Sequence, residues 1–107
     1  MTLRWRVPAG ESRRIAAALQ LLMVETRAQH GSLGCAFSSD MGVNVVISYN
    51  EDWKTEEDLR DQLLSHRFTA LAELMELATE EPSIEFLLPG TVRGLEYADE
   101  VRNAASR

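Results

Sequence analysis

Tyr49-Asn50-Glu51-Asp52-Trp53-Lys54-Thr55-Glu56-Glu57-Asp58-Leu59 joins two kinds of periodicity. Before it, Val43, Val45, Ile47 and Tyr49 recur every second residue, the pattern of a half-buried strand. After it, Thr55-x-x-Asp58 has the form of a Ser/Thr-x-x-acid helix opener, with Asp in the third place after Thr. The spacing therefore predicts a strand ending near Asn50 and a helix starting near Thr55, with Trp53 on the corner between them. A large ring at such a corner either caps a core or lines the mouth of a pocket.

Working outward, Leu3, Trp5 and Val7 alternate with Arg4 and Arg6, which predicts a first strand closed by Pro8-Ala9-Gly10. Ser12 is placed to cap a helix over about 12–30, whose stripe is Ile15, Leu19, Leu22 and Met23. Gly31 supplies a left-handed stop after it. A second strand is expected from Leu33 to Ser39. Asp40-Met41-Gly42 would form the hairpin loop into the third strand, starting at Val43. Leu59, Leu63, Phe68, Leu71, Leu74, Met75 and Ala78 keep helical spacing, with a bend or break expected at Ser65-His66-Arg67. Ile84, Phe86 and Leu88 after Pro82 read as a fourth strand, closed by Pro89-Gly90.

The order β-α-β-β-α-β predicts an α+β protein of the ferredoxin-like kind, a four-stranded antiparallel sheet with helices on one face. One domain over residues 1–90 is expected, followed by a polar tail over 91–107. The tail carries a weak helical pattern (Leu95, Ala98, Val101, Arg102) and is read as frayed or docked on a partner subunit. The second face of the sheet, with Asn44, Val46, Ser48, Glu85 and Leu87, is mixed in character. Packing against a second copy would cover it.

Composition narrows the function classes. At 107 residues with 45% apolar and 26% charged residues, the chain is an ordinary globular domain. A formal charge of −6 argues against nucleic acid and anionic lipid as partners. No apolar run approaches the ~20 residues of a membrane span. Cys35 is the single cysteine, and with no signal-peptide pattern this suggests a cytoplasmic setting. Two His and one Cys far apart make no zinc pattern, and there is no glycine-rich phosphate loop, so no cofactor is expected.

Three stretches, His30-Gly31-Ser32-Leu33-Gly34-Cys35, Tyr49-Asn50-Glu51-Asp52-Trp53 and Leu59-x-x-Gln62-Leu63-x-Ser65-x-x-Phe68, carry a family resemblance. In order and spacing the chain resembles the antibiotic biosynthesis monooxygenase family, small dimeric α+β barrel proteins, over about residues 3–90. The resemblance implies a homodimer with sheets face to face and a pocket between sheet and helices in each subunit. It implies oxidation of phenols or quinols by dioxygen without metal or flavin. A related branch degrades haem, and many members have no established activity. Where the family has a helical His three residues after the Leu, this chain has Gln62, and the nearest imidazole is His66, one turn on. Haem-degrading relatives commonly place an Asn on strand one, where this chain has Arg4 and Arg6, so the haem branch is disfavoured.

On that basis Trp53 would stack on a small aromatic ligand, His66 or Tyr49 would take its proton, and Asn50 would hold the oxygen species. Phe37, Gln62, Met75 and Phe86 would line the pocket. Each residue also has a plain packing role: Trp53 as a core-edge ring, His66 as a solvated imidazole, Tyr49 and Asn50 as strand-edge groups, and Phe37, Met75 and Phe86 as core. The run Glu51, Asp52, Glu56, Glu57 and Asp58 is read as helix-start electrostatics on a solvated face. The function expected is cofactor-independent oxidation of an electron-rich phenol or quinol. The alternative is a non-catalytic dimeric barrel that binds a small hydrophobic ligand or has a structural role.

Overall fold

In the computed structural model, which describes residues 1–41 and 45–106, alternation and helical spacing become a five-stranded antiparallel sheet and four α-helices. The strands are β1 (Thr2–Val7), β2 (Ser32–Met41), β3 (Val45–Trp53), β4 (Ser83–Leu88) and β5 (Thr91–Arg93), in the order β2-β3-β1-β4-β5. The helices are α1 (Ser12–Arg27), α2 (Glu56–Leu63), α3 (His66–Met75) and α4 (Leu95–Ala105). A 3₁₀ turn at Ala9–Glu11 leads into α1.

The α+β class holds, but the sheet is not the four-stranded one expected. Gly90, at φ 78°, reverses the chain after β4, and Thr91–Arg93 pairs back on Phe86–Leu88 as an added edge strand. The stretch read as a tail from residue 91 is thus built into the same chain. Tyr97 and Ala98 of α4 are buried, Tyr97 lies against Phe86 with ring centroids 5.3 Å apart, and Arg102 donates to the Leu63 carbonyl at 2.7 Å. The hairpin also differs. Asp40 and Met41 continue β2 and pair with Val46 and Val45, so the expected loop does not begin at Asp40. Gly42, Val43 and Asn44 lie outside the described residues.

The helices cover one face of the sheet. Leu3, Trp5 and Val7 of β1, Val45, Ile47 and Tyr49 of β3, and Ile84 and Phe86 of β4 meet Ile15, Leu19, Leu63, Phe68 and Leu71 in one apolar cluster. Residues half a period away, among them Arg4, Arg6, Asn50, Glu85 and Leu87, are exposed on the other face. This core occupies the space between the middle of the sheet and the helices.

Two local devices set where α2 begins. Thr55 is its N-cap, accepting from the Asp58 backbone N–H at 3.1 Å while its own hydroxyl donates to the Asp58 carboxylate at 2.8 Å. Gly31, at φ 81°, turns the chain from α1 into β2, and its carbonyl accepts from the Lys54 N–H at 2.8 Å. A Cβ on Gly31 would collide with the Asp58 side chain, which is buried and held by Thr55. Gly31→Ala is therefore expected to cost about 2 kcal/mol or more, from left-handed backbone strain plus the displaced cap. A urea midpoint equal to the parent's would show that this corner yields freely.

Candidate functional site

The β3 strand does not stop at Asn50. It runs to Trp53, and the period-two phase of Val45, Ile47 and Tyr49 carries Glu51 onto the buried face. Glu51 is 1% exposed. No Lys, Arg or His side chain among the described residues lies within 4.0 Å of its carboxylate. The N-terminal ammonium of Met1 is close by, but it donates to the Glu51 backbone carbonyl at 2.8 Å and not to the carboxylate. A buried carboxylate without a direct ion pair costs several kcal/mol, so neutral donors must satisfy it. Three do. Trp53 Nε1 donates to Oε1 at 3.0 Å, the Tyr49 hydroxyl donates to Oε2 at 2.5 Å, and Gln62 Nε2 donates to Oε2 at 3.3 Å.

Two of the donors have further partners. The Cys35 thiol donates to the Tyr49 oxygen at 3.3 Å. Gln62 Nε2 also reaches Thr26 Oγ1 on α1 at 3.2 Å, and Gln62 Oε1 accepts from Arg67 Nε at 2.8 Å. The hydroxyl of Tyr49 is pushed far above its ordinary range, first by burial and then by the charge of Glu51. Burial likewise raises the Cys35 thiol, partly opposed by its hydrogen bond to Tyr49. In this arrangement Tyr49 donates to Glu51, and burial and the neighbouring carboxylate disfavour its ionisation.

Beside this network lies a cavity of about 530 Å³ at the end of the sheet. Its walls include Glu51, Trp53, Thr55, Leu59, Leu33, Leu87 and Pro89. Leu33 and Leu87 are largely exposed, as are the charged side chains of Asp52, Lys54 and Glu56, so the mouth is mixed in character. Trp53 is half-buried, with its ring at the cavity and its N–H turned inward to Glu51.

The expected site residues divide. Trp53, Tyr49 and Gln62 come together around Glu51. Asn50 does not, because one residue along a strand reverses the face, and it is exposed on the helix-free side. His66 does not either. Its side chain is 78% exposed and sits 3.5 Å from the Glu25 carboxylate. The rule that positions four apart share a face fails for Gln62 and His66 because α2 ends at Leu63 and α3 starts afresh at His66. Phe86 is fully buried against Tyr97, Met75 lies at the α3 face towards α4, and Phe37 packs half-buried beside the core. None of these three lines the cavity. Glu51 itself was missed, read with its acidic neighbours as solvated.

Comparison with known proteins adds fold but no name for a function. No family model matches the chain, and no curated protein matches it. Among solved structures, the fold is similar to that of Rv0793 from Mycobacterium tuberculosis, with a TM-score of 0.61 and 18% identity, covering 84% of this chain and 95% of that one. At that identity the likeness is one of fold alone. Among the described residues, no helix is long and apolar enough to cross a membrane, and no three His, Cys, Asp or Glu residues are grouped to hold a metal ion.

Two outcomes follow from the geometry. Glu51→Gln places an N–H₂ where only an acceptor fits and is expected to cost about 2 kcal/mol in urea unfolding, with Trp53 emission shifted as its indole loses its partner. Second, the raised Tyr49 and Cys35 groups stay protonated in the folded chain but ionise when unfolded near about 10 and 8.5. Their contribution to stability is whole below those values and is lost as pH rises above them. Stability should fall in alkali above about pH 8.5, less steeply in Tyr49→Phe. In a Tyr97→Phe background, where Tyr49 is the remaining tyrosine, absorbance at the phenolate band should rise only with unfolding.

Proposed function

We propose that the protein takes a small, planar, electron-rich phenol or quinol into the cavity at the end of the sheet and oxidises it with dioxygen without a cofactor. The observation that supports this reading is a buried carboxylate, with no ion pair within 4.0 Å among the described residues, directly behind an indole that forms part of a cavity wall. Trp53 would stack on the ring of the ligand. Glu51 would accept the hydroxyl proton, with Tyr49 and Gln62 holding its other lone pairs. The phenolate then passes electrons to dioxygen. One oxygen atom enters the ring as a carbonyl and the other leaves as water, all four electrons coming from the substrate. The resemblance to the antibiotic biosynthesis monooxygenases and the size of the cavity are consistent with this. Two copies would meet through the helix-free face, where Leu87 and Val92 are exposed side by side across β4 and β5.

A second reading, binding without turnover, is favoured by the completeness of the Glu51 hydrogen bonds. Three donors leave little of the carboxylate for a substrate proton. Oxygen uptake with a panel of hydroquinones and anthrone separates the two. The oxidase reading expects consumption that falls by about a hundredfold in Glu51→Gln and drops in Trp53→Phe, with His66→Ala unchanged. A thermal shift with the same compounds and no oxygen consumption leaves the binding reading alone. Neither signal with any of them ends both.

A further inference from the structure

Arg67 sits where a helix resists a cation. It is the second residue of α3, after His66, and the first turn of that helix carries no acid. The residue is half-buried, and among the described residues no carboxylate lies within 4.0 Å of it. Its Nε bonds instead to Gln62 Oε1 at 2.8 Å, across the break between α2 and α3. Neither helix-start electrostatics nor ion pairing accounts for an arginine there.

We infer that Arg67 is a positioning residue for the Glu51 site, acting through Gln62. A guanidinium only donates, so it fixes the carbonyl end of Gln62 towards α3. The amide is planar, so its N–H₂ must then point the other way, at Glu51 Oε2 and Thr26 Oγ1. Without Arg67 the Gln62 oxygen loses its donor, and the amide orientation is left to Thr26 and Glu51 alone. The hold on the carboxylate would rest more on Tyr49 and Trp53, and the indole at the cavity would lose its fixed orientation. The arginine thus sets the donor pattern on Glu51 without touching it. This orientation stands on the geometry, and its consequence for ligand affinity rests on the binding reading above.

The two indole N–H groups make the test specific. Trp53 Nε1 bonds to Glu51, whereas Trp5 Nε1 is buried without a partner among the described residues. In a nitrogen–proton correlation spectrum of the full chain, Arg67→Met should shift the Gln62 side-chain amide pair and the Trp53 indole proton and leave that of Trp5 in place. Arg67→Lys, which restores a donor to the Gln62 oxygen, should return both to near their parent positions. Naphthol, titrated by calorimetry, should bind about tenfold more weakly to Arg67→Met and recover in Arg67→Lys. Gln62 and Trp53 signals unmoved in Arg67→Met would overturn the assignment. If Arg67→Met disturbs Trp5 as well, the lysine variant decides: failure to restore Gln62 and Trp53 overturns it. Absence of naphthol binding in the parent would count against the binding reading, while the spectra still decide the role of Arg67.

Discussion

A buried carboxylate held by neutral donors and not by a direct ion pair is the constraint around which this chain is arranged. Glu51 draws in its donors from different parts of the fold. Tyr49 and Trp53 come from its own strand and Gln62 from α2. Behind them stand Cys35 on β2, Thr26 on α1 and Arg67 on α3. Three helices are therefore tied to the β2–β3 hairpin by polar contacts as well as by the apolar layer. Such a network is favourable only when complete, since each missing donor exposes the cost of the buried charge. This explains why Thr26 and Gln62, polar residues on helices, are almost wholly buried: they complete the shell.

Much of the framework was legible from local pattern, because its causes are local. The Thr55–Asp58 cap, the left-handed Gly31 and the break near Ser65 depend on residues within a few positions of each other. Glu51 was not legible because two local signals conflicted. Its phase with Val45, Ile47 and Tyr49 pointed inward, yet Glu51-Asp52 and Glu56-Glu57-Asp58 looked like one solvated acidic run. The strand in fact extends to Trp53, so phase decides, and a carboxylate that composition would place in water is drawn into the core. The edge strand β5 has only three residues and no alternation to announce it. The docking of α4 rests on Tyr97, whose hydroxyl meets Arg60 and Glu56 across 37 and 41 residues of sequence. No window of local pattern spans that distance.

The position of the open space changes what the resemblance can contribute. A pocket beneath the helices would have used Phe37, Met75 and Phe86 as walls, but those residues pack the core and its margins instead. Space is left where the sheet runs out, between the ends of β3 and β4 and the start of α2. There the chain changes from strand to helix, side chains no longer interdigitate from both layers, and polar backbone needs water or a ligand. The longer β3 strand thus has two effects at once: it carries Glu51 inside and sets the Trp53 ring at the edge of the gap.

Packing alone does not favour a carboxylate at position 51. An apolar residue at position 51 would join Tyr49 and Ile47 in the core, and buried charge replaced by well-packed apolar groups is often neutral or stabilising. The donors would also be unnecessary: Gln62 could be another leucine in the stripe of Leu59 and Leu63. Retaining a carboxylate, an amide and an arginine there lowers the stability available to a small domain whose core is thin. Sites that bind or react commonly depart from the best-packed solution in this way. On the proposed reading, the departure places a fixed acceptor next to a stacking surface at the edge of a cavity. That is a pairing suited to a ring bearing a hydroxyl, and an apolar core could not provide it.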